Sequence, residues 1–367
     1  MRSVVQISTF YSDHGGVEKS VSDLVAGLKV DHNVSVLCTH SHPRTRHDDV
    51  NGVPVTAVGR IVEIQGRPLA AMFPWELRRY NCDVAHYHLP FPLAMASHLI
   101  SAPKSKLTVA TWHHDLIKHP RFKRFIEPLL ESFLDRLDMI IVTAPALVEH
   151  TPVLYKRKHK CRVIPLGIAE ELFVHAQPDT TDGVNETPED LLILYVGRLV
   201  YYKGCDVLIK AMKNVNAKLI MVGDGPLRGD LERLANDLQI ADRVQFLGRI
   251  SDEDLANAYR RSSLFVLPST LPTECFGLVQ VEAMLSGKPV INTNLPTGVP
   301  WVSVHNETGM TVPPNDPTAL AAAINQLLND SALRHKLGRQ AKERAQSMFT
   351  LTRHVAAVAD LYNELLG

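Results

Sequence analysis

Two carboxylates separated by seven residues, Glu274 and Glu282, straddle the point where a loop becomes a helix. Pro268 and Pro272 keep the preceding segment out of helix, Gly277 lets backbone approach a ligand closely, and Leu278 to Leu285 reads as a short apolar helix closed by Gly287. Glu274 therefore lies ahead of the helix and Glu282 inside it. The N–H groups of Phe276, Gly277, Leu278 and Val279, freed by the helix start, turn toward the space between them. Such groups suit phosphate, and carboxylates accept from sugar hydroxyls, so the stretch has the chemistry to hold a nucleotide sugar. The competing reading is an ordinary helix with one exposed and one capping glutamate; two acidic residues alone do not decide between them.

Further chemistry-bearing residues stand at strand ends. The run Gly197-Arg198-Leu199-Val200-Tyr201-Tyr202-Lys203-Gly204 leaves an apolar strand and enters a helix near Cys205, so Arg198 and Lys203 can hold a diphosphate with a fork and a point charge. Gly223-Asp224-Gly225-Pro226 ends the next strand as a tight turn. Near the start, Ser12-Asp13-His14-Gly15-Gly16 joins a strand to a helix start, a second place where backbone can meet an anion. Two histidine groups, His86-Tyr87-His88 and Trp112-His113-His114-Asp115, also fall at strand ends, and are read either as structural histidines or as substrate contacts. Adjacent His113 and His114 diverge, and no helical histidine pair or cysteine pair supports a metal. Asp252-Glu253-Asp254 follows Ser251 and opens a helix, which an N-cap and a favourable dipole explain better than a metal motif.

The elements that must position these residues alternate. Strands are expected at Val4–Ile7, Val34–Cys38, Val53–Val58, Val84–His88, Leu107–Thr111 and Met139–Thr143, then again at Leu191–Val196, Lys218–Val222, Val244–Leu247, Leu264–Leu267, Val290–Asn292 and Met310–Val312, with helices or loops between. This predicts an α/β protein with two mostly parallel sheets, and ligands beyond the carboxyl ends of the strands in a cleft between domains. The polar stretch Gln177–Asp190 reads as a loop near the junction. Thr350 to Leu366, with Val355, Val358, Leu361 and Leu365, reads as a final amphipathic helix.

The 367 residues, 45% apolar and 21% charged, suffice for two soluble domains. A formal net charge of zero conceals a split: residues 1–170 carry 21 Lys and Arg against 16 Asp and Glu, and the remainder 18 against 23. The first half is the better candidate to face an anionic surface. Five scattered cysteines fit a reducing compartment, no charged-then-apolar leader opens the chain, and no apolar run is long enough to span a bilayer. Any membrane contact is expected to be peripheral. Residues 116–136 combine Lys118, Arg121, Lys123 and Arg124 with Phe122, Phe125, Leu129, Leu130 and Phe133, which fits a bilayer surface and a core-packed amphipathic helix equally. Tyr155 to Lys160 adds a second basic cluster, read as a solvated loop.

In this order and at these positions, Gly15-Gly16-Val17-Glu18, Trp112-His113-His114-Asp115, Gly197-Arg198 with Lys203-Gly204, Gly223-Asp224-Gly225-Pro226 and the Glu274–Glu282 motif resemble glycosyltransferase family 4 over nearly the full length. The resemblance implies the GT-B fold: two Rossmann-like domains facing across a cleft, residues 1–169 binding acceptor and 170–351 binding donor, with helix 352–367 returning to the first. Phe276–Met284, Gly287–Thr293 and Gly298–Ser303 look like the bacterial mannosyl- and rhamnosyltransferases of exopolysaccharide or O-antigen assembly. Cys275 departs from the small residues common in that motif.

The resemblance also implies a retaining transfer of mannose from GDP-mannose to a glycan on a polyprenyl diphosphate. It would be metal-independent, at the inner face of the cell membrane, in peripheral contact with anionic lipid and without nucleic acid. By position, Arg198 and Lys203 would bind the diphosphate, Glu274 the sugar hydroxyls, Glu282 the ribose, Gly16 the phosphate and His113 the transferred sugar. A UDP-sugar-dependent glucosyl- or N-acetylhexosaminyltransferase, a sugar-nucleotide epimerase and a non-catalytic sensor or scaffold are the competing expectations.

Overall fold

The computed structural model describes residues 1–11, 16–64, 67–114, 120–174 and 191–367. Ser12 to Gly15 of the first loop, Asp115, Lys118 and the polar stretch 177–190 lie outside these residues, as do the side chains of Arg121, Phe122, Lys123, Arg124 and Phe125. The chain divides into two compact units, Met1–Gly167 with Leu351–Gly367, and Ile168–Thr350.

In the first unit the strands are β1 (Arg2–Ile7), β2 (His32–His40), β3 (Arg46–Val50), β4 (Val53–Gly59), β5 (Val62–Ile64), β6 (Arg67–Leu69), β7 (Asn81–Leu89), β8 (Lys104–Trp112), β9 (Met139–Val142) and β10 (Cys161–Val163). Eight of them form one sheet in the order β10-β9-β8-β7-β1-β2-β4-β3. It is parallel except for β3, which runs antiparallel to β4. Its central strands β7 and β1 are buried along most of their length, as strands covered on both faces are. β3 escapes sequence recognition because Arg-His-Asp-Asp-Val is exposed throughout, the charged composition of an edge strand that must not recruit a partner. β5 and β6 pair as a separate hairpin.

Helix Gly16–Leu28 buries Val21, Leu24, Val25 and Leu28, and helix Leu351–Leu366 buries His354 and adds Val358, Leu361 and Tyr362 to the same core. Helix Pro120–Arg136 buries Leu130, Phe133 and Leu134, and the Phe133 ring meets Tyr87 at 5.1 Å and His98 at 5.3 Å. The C-terminal half of that basic and apolar stretch is thus core.

The cluster at Tyr155–Lys160, expected as a solvated loop, is helix Pro152–Tyr155 followed by a tight helical turn. Its cations dock on the neighbouring helix: Lys156 on Glu131 at 2.7 Å and the buried Arg157 on Asp135 at 2.7 Å. Among the described residues no helix is long and apolar enough to cross a membrane.

The second unit holds β11 (Leu192–Val196), β12 (Lys218–Val222), β13 (Val244–Gly248), β14 (Leu264–Leu267), β15 (Val290–Thr293) and β16 (Gly309–Val312), all parallel. Their order is β13-β12-β11-β14-β15-β16. Counting strands within the unit, the order runs third-second-first-fourth-fifth-sixth, the Rossmann arrangement. β11 and β14 are buried at every position, as strands covered on both faces must be. The winding direction reverses between these two, so the loops that leave them flank the crevice where such sheets bind ligands.

Candidate active site

The loop after β11 carries Arg198 and Lys203, and the loop after β14 carries Glu274. Backbone contacts draw the two loops together. Gly204 sits at φ +66° with its Cα so close to the Pro268 carbonyl that a Cβ would lie 2.0 Å from that oxygen, and the Thr270 N–H donates to the Tyr202 carbonyl at 2.8 Å. Lys203 Nζ consequently meets Glu274 Oε2 in an ion pair, with both side chains about nine-tenths buried. The Ser269 hydroxyl donates to the same carboxylate oxygen at 3.1 Å. Burial pulls the Lys203 ammonium toward deprotonation, but the charge of Glu274 and the bond between them more than reverse this, and its pKa stands above the ordinary value.

Arg198 is exposed, and among the described residues its guanidinium pairs with no carboxylate. Its carbonyl accepts from the Tyr195 hydroxyl at 3.1 Å. The Asp224 turn is fastened beneath: the Leu199 N–H donates to the Asp224 carbonyl and the Leu227 N–H to the Leu199 carbonyl. The unit thus offers one cation turned to solvent and one held by an internal carboxylate.

Helix Leu278–Leu285 begins at Gly277, whose φ of +71° is left-handed. A Cβ there would also come within 2.6 Å of Leu267 Cδ2. Among the described residues the N–H groups of Phe276, Gly277, Leu278 and Val279 have no protein acceptor, leaving four donors at the helix start. Beneath them, buried Gln280 donates to the Phe276 carbonyl at 2.6 Å and accepts from Asn292 at 3.2 Å, fixing the loop from behind. Glu282, half-buried inside the helix, receives the Tyr259 hydroxyl on Oε2 at 2.7 Å. Ser251 caps the helix of Asp252–Arg261 by accepting from the Asp254 N–H at 3.1 Å, which accounts for the acidic run there. Among the described residues no three His, Cys, Asp or Glu gather as a metal site.

In the first unit Gly16 opens helix Gly16–Leu28, and nothing lies within 4 Å of where its Cβ would stand. Its partner in the glycine pair, Gly15, is outside the described residues. His113 follows β8 and is 6% exposed. Its Nε2 lies 3.0 Å from His88 Nδ1, and His88 Nε2 lies 2.8 Å from Gln6 Oε1. The Tyr362 hydroxyl, from the C-terminal helix, lies 3.3 Å from Gln6 Nε2 and 2.6 Å from His86 Nδ1, and His86 Nε2 lies 2.7 Å from the Thr111 hydroxyl. Burial, with neighbouring imidazoles adding to it, holds His88 and His113 well below the ordinary histidine pKa and His86 down to about 3, so all three are neutral.

His86 and His88 are therefore interior groups, the structural alternative of the two the sequence left open. The structure brings Lys203, Glu274 and the Phe276–Val279 donors together in one unit and places His113 and Gly16 in the other. Sequence reasoning missed Ser269, Tyr259, Gln6 and Tyr362. A signal existed for Gln6, the one polar residue in the apolar run Val4-Val5-Gln6-Ile7, and for Tyr362, four residues after Val358 on the apolar face of the last helix.

Comparison with known proteins identifies the family. Residues 14–172 match the family described as Glycosyltransferase Family 4, and residues 178–344 the one described as Glycosyl transferases group 1. The chain is 30% identical to the O-antigen chain mannosyltransferase C of Escherichia coli, covering 100% of this chain and 99% of that one. It is 29% identical to a D-rhamnosyltransferase of Pseudomonas aeruginosa over 95% of this chain and 92% of the other. Among solved structures, a sucrose-phosphate synthase from Thermosynechococcus elongatus superposes with a TM-score of 0.80 at 25% identity, covering 100% and 99% of the two chains. A Rossmann-ordered sheet with helix-start donors and cations at its switch point, in a chain alike from end to end to such enzymes, belongs to glycosyltransferase family 4 and is a glycosyltransferase of the GT-B fold.

Proposed function

We propose that this glycosyltransferase moves mannose from GDP-mannose, with retention, onto a glycan carried on a polyprenyl diphosphate during polysaccharide assembly. The observation that carries the reading is the end-to-end likeness to an O-antigen chain mannosyltransferase. The likeness to a D-rhamnosyltransferase supports it chemically, since D-rhamnose is mannose lacking the 6-hydroxyl. The N–H groups of Phe276, Gly277, Leu278 and Val279 receive the donor phosphates, with the Gly16 backbone as a further phosphate contact. Arg198 and Lys203 take up the charge that grows on the leaving diphosphate. Losing one such group commonly costs about 3 kcal/mol of barrier. These cations do the neutralising work of a divalent metal, so transfer needs none. Glu282 accepts from the ribose hydroxyls and His113 touches the transferred sugar.

Glu274 accepts from hydroxyls of the mannose. A carboxylate paired with a buried ammonium is a poor nucleophile, which favours substitution without a glycosyl-enzyme intermediate. The acceptor oxygen bonds to the anomeric carbon on the face the phosphate leaves, and the departing phosphate oxygen takes the acceptor's proton. The basic first half meets the lipid-linked acceptor at the anionic inner face of the membrane.

Calorimetry with GDP, GDP-mannose, UDP and UDP-sugars, each in chelator and in Mg²⁺, tests the donor assignment. Tight binding of GDP-mannose in chelator is the expected result. Preference for UDP-sugars moves the function to a glucosyl- or N-acetylhexosaminyltransferase, and binding of neither overturns the reading.

A further inference from the structure

The His113 imidazole ends a chain of buried groups whose proton positions follow from one residue. Gln6 uses its two ends differently: Nε2 faces the Tyr362 hydroxyl at 3.3 Å and Oε1 faces His88 Nε2 at 2.8 Å. An amide NH2 only donates and an amide oxygen only accepts, so His88 carries its proton on Nε2. A neutral imidazole has one N–H, which leaves His88 Nδ1 a bare acceptor. That lone pair lies 3.0 Å from His113 Nε2, which must be the donor. His113 then keeps a lone pair on Nδ1, and Nδ1 is buried with no partner among the described residues. The other branch closes in the same sense. Tyr362 receives the amide proton and donates its own to His86 Nδ1 at 2.6 Å, and His86 Nε2–H donates to the Thr111 hydroxyl at 2.7 Å.

We propose that Gln6 and His88 are positioning residues that lock His113 as the Nε2–H tautomer, so that its Nδ1 accepts a hydrogen bond from a hydroxyl of the bound sugar and His113 donates no proton to the sugar. The tautomer follows from the first unit alone; the sugar hydroxyl rests on the function proposed above. A buried acceptor without a partner is unfavourable in the free protein, and a ligand hydroxyl relieves that cost on binding. The polarity of the chain is set at Gln6, whose amide is the one group in it that cannot exchange its donor and acceptor ends without turning over.

The test is two-bond ¹H–¹⁵N correlation on protein labelled in histidine, with His113 assigned by the signals missing in His113→Gln. The wild type is expected to show a protonated Nε2 and a bare Nδ1 at His113. Gln6 supplies the acceptor that faces His88 Nε2. Gln6→Met removes it, mixes the tautomers and weakens donor binding about tenfold, with circular dichroism confirming the fold. A protonated Nδ1 in the wild type overturns the assignment, independently of whether any variant folds. An unchanged tautomer in folded Gln6→Met overturns the role of Gln6. Adding GDP-mannose should shift the His113 Nδ1 signal; calorimetric binding without that shift overturns the hydroxyl contact. Failure of every nucleotide sugar to bind overturns the proposed donor and the hydroxyl contact with it, and leaves the tautomer standing.

Discussion

Lys203 and Glu274 restrain each other through their ion pair. Removing one partner of a mostly buried pair strands the other charge, which typically costs about 3 kcal/mol, while replacing both by neutral groups is far milder. Lys203→Met is therefore expected to lower the denaturant midpoint clearly, and Lys203→Met with Glu274→Gln to recover most of the loss. Both variants should lose transfer by roughly 100-fold or more, because each lacks the cation proposed to face the leaving group. Equal stability of the single and double variants would show that the pair is not coupled. Each residue stands out in the sequence as a candidate donor contact. Their pairing does not, because the residues are remote in the chain and become neighbours only when β11 lies beside β14. The same holds for Gln6 and Tyr362, drawn from opposite ends of the chain.

At the scale of elements, the helix Leu278–Leu285 and the strands around it were readable because proline, glycine and apolar runs mark their ends locally. The edge strand β3 was not, since its residues face solvent and carry no apolar signal. The loop that precedes the helix depends on Gly277 twice, through its left-handed φ and through the room left for Leu267. Gly277→Ala is expected to cost about 1–2 kcal/mol and to shift the four N–H groups away from the proposed phosphate position, weakening nucleotide binding as well as lowering the melting temperature. Ser251→Ala is the contrasting case. It removes a cap and costs about 1 kcal/mol, with nucleotide affinity by calorimetry unchanged. If the two variants affected affinity alike, the loop geometry would not be what binds phosphate.

Across the whole molecule, the depressed histidines are concentrated in one unit. His86 stands near pH 3, His98 and His354 near pH 4, and His88 and His113 well below their ordinary 6.5. Their folded values lie below their unfolded ones, so as pH falls through about 6.5 the unfolded chain takes up protons that the folded one refuses. Stability is complete above that point and declines toward about pH 4, by up to about 1.4 kcal/mol per pH unit for each histidine that stays neutral. Thermal scans from about pH 8 to about pH 5 should show the transition of the first unit moving down. A transition constant over that range would contradict the buried, neutral assignment.

The last helix, Leu351–Leu366, completes the core begun by β1 and helix Gly16–Leu28. On a ribosome this reverses the expected order of assembly. The middle of the chain has all of its own strands while translation continues, whereas the portion made first stays without Val358, Leu361 and Tyr362 until that helix is made. Premature termination after Thr350 should therefore damage the oldest part of the polypeptide, leaving it prone to aggregate and to proteolysis while the later-made unit survives as a resistant fragment.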